Sequence, residues 1–181
     1  MEKGILIFLL IIIMSLGIYS DNLKREVVIN YSLNRIPKIA SNQIAIWIED
    51  ETGSIIRTLF VTKFTAKGGY KKRSQALKRW VSNYDVDKKT KNEIDAISGA
   101  TQKPGKHSII WNCKDNKGNS VKNGKYYYCI EGNIFWDNMV YVKGEITISD
   151  KNEKSVPEIK YSPEDAEKVG VLIYDVFAIF Q

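Results

Sequence analysis

The 181-residue sequence contains one histidine, His107, and two cysteines, Cys113 and Cys129. Neither cysteine lies at metal-ligand spacing from a second ligand, which argues against a zinc site. The sequence also lacks a Ser-His-Asp arrangement, a phosphate-binding loop and a dinucleotide fingerprint, and nothing identifies a partner that would orient a Cys-His nucleophile. We therefore expect no catalytic residues, no metal-binding residues and no enzymatic activity.

The two cysteines are also few for a domain held together by disulfides. Cys113 ends one predicted strand, whereas Cys129 lies inside a later one. Antiparallel pairing of these strands would set the two residues several positions out of register, and a disulfide requires Cα atoms about 4.4–6.8 Å apart. We predict that the two thiols are not joined.

Acidic residues are outnumbered, because 27 lysines and arginines face 21 aspartates and glutamates, for a formal net charge of +6. The excess is concentrated in residues 63–91, which contain ten basic and two acidic side chains. On an exported protein, a basic patch suits anionic lipid, a phosphate-bearing ligand or an acidic protein better than nucleic acid. A solvated surface without a partner is the alternative, and we expect no nucleic-acid binding.

Long apolar runs are missing except at the N-terminus. Lys3 is followed by the apolar residues 5–14 and then by Ser15, Gly17 and Ser20. This order is typical of a secretory signal peptide, and residues 5–19 fall short of the about 20 apolar residues that span a membrane. We predict a signal peptide over residues 1–20, cleaved near Ser20, although an uncleaved anchor is the alternative.

The mature chain, residues 21–181, has the length of one domain. We expect it to be extracytoplasmic, either periplasmic or secreted, with no stable membrane insertion after the signal is removed. This location follows from the predicted signal peptide.

β-rich runs recur along the mature chain. Residues 43–49 (QIAIWIE) alternate with period two, and Gly53 supplies the positive φ of a tight turn to residues 54–62. Further strand signals cover residues 25–33, 108–113, 125–131, 139–149 and 171–180. Short strands separated by turn residues predict a mainly β fold, an immunoglobulin-like antiparallel β-sandwich.

Helical spacing is confined to a short part of the chain. Apolar residues recur at three- and four-residue intervals at Ala76, Leu77, Trp80, Val81 and Tyr84. This pattern predicts one inserted amphipathic helix over residues 71–84 that covers a sheet through Leu77 and Trp80.

Two polar stretches complete the predicted organisation. Residues 83–91 are predicted to form a mobile polar loop. In the charged connection 150–167, the sequence SPED at 162–165 has the order of a cap that opens one or two helical turns.

Two further segments are specific enough to indicate a family. The first reads DAISGAT over residues 95–101 and continues to Pro104 and Gly105, and the second reads WNCKDNKGNSVKNGKY over residues 111–126. Together with WIED at 47–50 and RTL at 57–59, they resemble the predicted periplasmic family called domain of unknown function 2271, over about residues 39–148. The second segment is also similar to the immunoglobulin-like domain of flagellar hook-capping proteins, with Cys113 where the family more often has glycine.

The DAISGAT segment is similar to the flavinylation motif Asp-x-x-(Ser/Thr)-Gly-Ala-Thr of proteins that carry FMN covalently on a threonine. The resemblance implies that Thr101 is the acceptor, exposed on a loop. Ser98, Gly99 and Ala100 would give a transferase room to approach, and Asp95 would help it to hold a metal ion. Ala96 departs from the glycine usual in flavin carriers, and the alternative is a shaped loop without a cofactor.

Two functions are open on the sequence alone. In the first, the protein is a redox-associated carrier of FMN, loaded by a flavin transferase and exchanging electrons with a membrane redox protein. The family resemblance implies membrane partners with small PepSY domains. In the second, it is an immunoglobulin-like binding or assembly module with no cofactor.

Overall fold

The computed structural model describes residues 25–37, 40–134, 139–165, 168 and 170–181. The predicted signal peptide over residues 1–20 lies outside this part of the chain. Ten strands lie within it: β1 Val27–Leu33, β2 Gln43–Glu49, β3 Ile55–Thr62, β4 Ser98–Gly99, β5 Gly105–Trp111, β6 Gly124–Asn133, β7 Met139–Ile148, β8 Glu153–Ser155, β9 Glu158–Ser162 and β10 Ile173–Phe180.

In the described residues, the strands form a four-stranded sheet of order β5-β1-β10-β8 and a six-stranded sheet of order β4-β3-β2-β6-β7-β9. The pairings between these strands are antiparallel except for the short parallel contact of β3 with β4. One hydrophobic core includes Ile29 and Trp111 of the four-stranded sheet and Ile46 and Tyr128 of the six-stranded sheet. The predicted mainly β antiparallel sandwich is confirmed.

Strand β2 is buried along its whole length because both faces of the six-stranded sheet are covered there. Ile44, Ile46 and Ile48 enter the core between the sheets. Ala45 and Trp47 enter a second core, which also contains Leu77 and Trp80 of the helical segment. Alternate residues of QIAIWIE therefore face two different cores, and neither face of the strand is exposed to solvent.

The helical segment joins β3 to β4. Within the described residues it contains three short α-helices, α1 Lys63–Ala66, α2 Lys78–Tyr84 and α3 Lys91–Ile97, and the 3₁₀ turns Gly69–Lys71 and Val86–Lys88. The prediction of a continuous helix over residues 71–84 is wrong before residue 78, because Leu77 has a φ of 52° and interrupts the right-handed helix. Leu77 and Trp80 are buried as predicted.

The prediction of a loop over residues 83–91 is also wrong in its secondary structure. Tyr84 still belongs to α2, and buried Val86 opens a 3₁₀ turn. Thr90 then caps α3 in a capping box with Glu93, so the last polar residues of this stretch form the start of a regular helix.

A buried carboxylate fixes α2 to the six-stranded sheet. Glu131 of β6 accepts hydrogen bonds from the backbone N–H groups of Arg79 (3.1 Å) and Trp80 (2.9 Å). These groups lie in the first turn of α2, where N–H groups have no partner within the helix. Trp80 is further held because its Nε1 donates to Oγ1 of Thr58 at 3.1 Å and its ring stacks on that of Tyr84.

Burial raises the pKa of Glu131, although its two N–H donors favour the ionised form. The folded state therefore holds this proton more tightly than the unfolded state does. The resulting stabilisation is complete below the ordinary glutamate pKa and is lost as pH rises through the raised value. We expect Glu131→Gln to remove this part of the pH dependence of the unfolding free energy, measured by denaturant unfolding across the acid-to-neutral range.

Glu131→Ala is the companion change and leaves the two buried N–H groups without their acceptor. We expect it to lower the unfolding free energy by about 1–3 kcal/mol. A pH profile of Glu131→Gln that runs parallel to that of the unmodified protein would show that a different group sets the slope.

The charged connection over residues 150–167 contains two strands that sequence reasoning missed. Strand β8 pairs with β10, and the largely exposed β9 pairs with β7. Exposed edge strands often carry charged residues, so their sequence resembles that of a loop. Residues 163–165 form a bend and a turn, so no helix begins directly after Ser162, and that part of the prediction is wrong. Residues 166 and 167, which complete the predicted connection, lie outside the described chain.

Cys113 and Cys129 are free, as predicted. The reason differs from the predicted register, because Cys113 lies in the core between the sheets and Cys129 in the core under the helical segment. The six-stranded sheet therefore separates them. Burial raises the pKa of Cys113 to about 11 and that of Cys129 to about 12, so both thiols are protonated at neutral pH.

Candidate functional site

The DAISGAT segment passes through three kinds of backbone. Asp95 belongs to α3, and Ser98 and Gly99 form β4. Ala100 and Thr101 then begin an irregular stretch that leads to β5. Thr101 is exposed, as predicted, and within the described part of the chain its hydroxyl makes no hydrogen bond.

Local structure fixes the middle of the motif. Ile94 of α3 is buried in the second core, between the helical segment and the six-stranded sheet. Strand β4 pairs in parallel with the end of β3, where Ser98 lies opposite Val61 and Gly99 opposite Thr62. The motif is therefore held at the edge of the six-stranded sheet up to Gly99, and the chain leaves that edge immediately before Thr101.

Gly99 is required by close packing against β3. A Cβ atom at this position would lie 2.5 Å from Cε2 of the half-buried Phe60 ring. We expect Gly99→Ala to lower the unfolding free energy by about 1–3 kcal/mol, because the ring must move to admit the methyl group. Denaturant unfolding measures this cost, with Ser98→Ala as the neighbouring control, and equal stability of Gly99→Ala and the unmodified protein would contradict the packing role.

Asp95 is ionised and lies in basic surroundings. Its carboxylate is 2.5 Å from Nζ of Lys67 of the α1–3₁₀ connection. The hydrogen bond from Lys67 lowers the pKa of Asp95, and Lys91 and Lys63 act in the same direction. A metal ion held by Asp95 would have to replace Lys67. Sequence reasoning did not connect Lys63 and Lys67 with the motif, although both belong to the basic run 63–91.

The residues after Thr101 are tied to strands β1 and β5 and to the residue that precedes β2. The hydroxyl of Tyr31 donates to Oε1 of Gln102 at 3.0 Å, and Nδ2 of Asn42 donates to the Gln102 carbonyl oxygen at 3.2 Å. Nε2 of His107 lies 2.8 Å from the carbonyl oxygen of Lys103. Thr101 is thus an exposed residue between two anchored stretches of backbone.

A cavity of about 560 Å³ lies along the four-stranded sheet. Strands β1, β5, β8, β9 and β10 and the β8–β9 connection provide its lining. Tyr31 and His107, which both contact the 102–104 stretch, are lining residues, and their rings stack with centroids 5.4 Å apart. Sequence reasoning missed the cavity, because the pairing of Tyr31 with His107 depends on the contact of β1 with β5, 76 residues apart in the chain.

A family model described as a predicted periplasmic protein (DUF2271) matches residues 26–161, well over half of the chain. The chain belongs to the DUF2271 family. The matched region runs from β1 to β9 and includes the DAISGAT segment. The family description confirms both the resemblance and the predicted extracytoplasmic location. Neither the curated proteins nor the solved structures contain a match to this chain.

The described part of this DUF2271 protein contains neither a cluster of metal ligands nor a membrane-spanning helix. Among the described residues, no three His, Cys, Asp or Glu side chains are grouped so that they could hold a metal ion. No helix in that same part of the protein is long and apolar enough to cross a membrane. The similarity of residues 111–126 to hook-capping proteins stays a prediction.

Proposed function

We propose that this DUF2271 protein is a non-catalytic carrier of FMN outside the cytoplasm, with the cofactor joined to Oγ of Thr101. The observation that carries the proposal is the placement of Thr101. It ends the DAISGAT motif as an exposed residue on irregular backbone, directly after residues held by the pairing of β4 with β3. A transferase can reach such a hydroxyl without unfolding the sheet.

The surroundings of Thr101 suit a phosphate ester. Ala100 is small and exposed, so it leaves the approach to Thr101 open. Lys67 and Lys91 surround Asp95 at the start of the motif, and their charge favours the approach of a phosphate group. At such exposed sites, screening over about 8–10 Å limits these lysines to steering.

Loading requires a flavin transferase with flavin adenine dinucleotide as co-substrate. In this step, Oγ of Thr101 forms a bond to the phosphorus of the FMN half, and the pyrophosphate bond to the AMP half breaks. AMP leaves, and the hydroxyl proton passes to a base of the transferase. The bound FMN supplies reversible electron transfer, and we propose a membrane redox protein as the partner that exchanges electrons with it.

Intact-mass analysis tests this function directly. The protein is incubated with flavin adenine dinucleotide, magnesium and an active flavin transferase, and a known flavin-carrier domain serves as the positive control. We expect a mass gain of one FMN, which peptide mapping assigns to the peptide that contains Thr101. If the control gains FMN and this protein does not, the carrier function is wrong, and the binding or assembly module becomes the function to test.

A further inference from the structure

We propose that this protein binds reversibly to anionic phospholipid bilayers through the helical segment. The surface concerned, which we call the basic face, combines one exposed aromatic side chain, Phe64, with six lysines: Lys63, Lys67, Lys71, Lys72, Lys89 and Lys91. The inference requires no FMN at Thr101, so it extends the proposed function without depending on it.

The six lysines form one continuous surface. Three of them line an open surface pocket together with Phe64, and four line a second pocket, which also contains residues of α3. Lys67 lines both pockets, so the two pockets adjoin. Five of the lysines are exposed, and Lys89 is half-buried. A large part of the basic run in the sequence is therefore gathered on one surface.

The basic face keeps its positive charge after local ion pairing. Two acidic side chains line the second pocket, and each is paired with one lysine. The carboxylate of Asp95 lies 2.5 Å from Nζ of Lys67, and that of Asp87 lies 2.8 Å from Nζ of Lys71. The other four lysines form no ion pair within the described part of the chain. Four positive charges therefore remain available, and each lysine close to an anionic bilayer strengthens binding about five-fold.

Phe64 adds an apolar contact to the basic face. It belongs to α1, and 45% of its surface is exposed. A Cβ atom on Gly69 would lie 2.5 Å from Cδ1 and Cε1 of the Phe64 ring, so the ring packs directly on the backbone of Gly69. Helices that bind at a bilayer surface combine basic residues with aromatic or leucine side chains that enter the headgroup region. The exposed ring of Phe64 among lysines reproduces that combination.

A bilayer fits the basic face better than a free phosphate does. A free phosphate has no apolar part and would leave Phe64 exposed, whereas a bilayer offers phosphate groups above an apolar interior. The whole chain has a net charge of +6, whereas residues 63–91 alone contain ten basic and two acidic side chains, so the rest of the protein is slightly acidic. This asymmetry orients the basic face toward an anionic surface. The periplasmic location of the family places the protein beside membrane surfaces.

Cosedimentation with vesicles tests the proposal on the exported protein without FMN. One set of vesicles contains equal amounts of phosphatidylglycerol and phosphatidylcholine, and the other contains phosphatidylcholine alone. We expect binding to the anionic vesicles to be at least about ten-fold tighter. This binding should be lost as the ionic strength rises from about 0.1 to about 1 M, because the Debye length falls from about 10 to about 3 Å.

Two pairs of lysine variants locate the binding surface. Lys63→Gln combined with Lys72→Gln removes two charges from the basic face and should weaken binding about 25-fold, which is about five-fold for each lysine. Lys122→Gln combined with Lys151→Gln is the matched control, because both lysines are exposed and neither lines the basic face. The control has the same net charge and should bind within about two-fold of the unmodified protein.

Phe64→Ser tests the apolar contact separately. We expect it to weaken binding to the anionic vesicles several-fold, whereas Val156→Ser, which changes a 75% exposed apolar residue in the β8–β9 connection, should not. Circular dichroism shows whether each variant is folded, and the exposed lysine pair keeps the test valid if Phe64→Ser is not. Equal binding of the two serine variants would overturn the contact of Phe64 with the bilayer.

Four results would overturn the proposal as a whole. Equal binding to both kinds of vesicle would assign the contact to an apolar segment, and equal losses in the two lysine pairs would show a response to net charge alone. Displacement from the vesicles by inorganic phosphate, beyond that by chloride of equal ionic strength, would make the basic face a site for free phosphate. Binding to polyglutamate but not to vesicles would make an acidic protein the partner. The carrier function is tested separately by the gain of FMN mass, so none of these results affects it.

Discussion

On the proposed carrier function, we expect Thr101→Ala to abolish covalent attachment of FMN and to leave the protein folded. The phosphoester would need the hydroxyl oxygen of Thr101, so removal of that oxygen should eliminate labelling altogether. The stability of the fold should change by less than about 0.5 kcal/mol, because the side chain is exposed and makes no hydrogen bond within the described residues. Intact-mass analysis after incubation with the transferase gives the first result, and denaturant unfolding gives the second.

Two controls distinguish the acceptor from a nearby structural residue. Thr101→Ser keeps the hydroxyl and should still gain FMN. Thr52→Ala removes another exposed threonine hydroxyl, in the β2–β3 turn, and should gain FMN as the unmodified protein does. Full labelling of Thr101→Ala would place the modification on another residue and overturn the assignment.

Trp80→Ala should lower the unfolding free energy by about 3–5 kcal/mol, the usual cost of truncating a fully buried large aromatic side chain. Trp80 is 0% exposed and packs in the second core together with Trp47 and Leu77. Its Nε1 donates to Thr58, so truncation also removes a hydrogen bond between the helical segment and β3. The loss is measured by denaturant unfolding.

Lys78→Ala provides the control in the same helix. Lys78 is exposed, so its truncation should change the unfolding free energy by less than about 0.5 kcal/mol. If Trp80→Ala costs less than about 1 kcal/mol, the helical segment does not form part of the stable core, and the second core contributes little to folding.

The central strands could be predicted because their local signals agree with the tertiary structure. In β2, the period-two alternation and the turn glycine Gly53, with a φ of 82°, both specify the β2–β3 hairpin. Strands β6 and β7 are long and rich in aromatic and β-branched residues. These sequence patterns predict the strands correctly because the residues that form the pattern are also the residues that fill the core.

The helical segment and the edge strands were harder to predict. Periodicity could identify the buried faces of Leu77 and Trp80, yet it could not reveal that Leu77 adopts a left-handed conformation and that the regular helix begins only at Lys78. Strands β8 and β9 carry charged residues and form only through pairing with β10 and β7. Their formation depends on long-range contacts that no local pattern encodes.

The candidate site also contains one part that the sequence predicts and one part that only the folded structure shows. Thr101 and Asp95 could be selected from the linear motif, since the motif lies within seven consecutive residues. The cavity could not be found, because its lining comes from five strands, β1, β5, β8, β9 and β10, and from the β8–β9 connection. His107 has no neighbour in the sequence that indicates a site, and its contact with Tyr31 exists only in the folded sheet.

Cys113 and Cys129 lie in different cores, which the six-stranded sheet separates. The reactivity of each thiol therefore indicates when its own core becomes accessible to solvent. A thiol reagent reaches Cys129 when the helical segment detaches from the six-stranded sheet, and it reaches Cys113 when the two sheets separate. Proteins open in cooperative units of different free energy, and these two units each contain one thiol. Alkylation of Cys129 before Cys113 thus indicates partial detachment of the helical segment, whereas alkylation of both at the same rate indicates global unfolding.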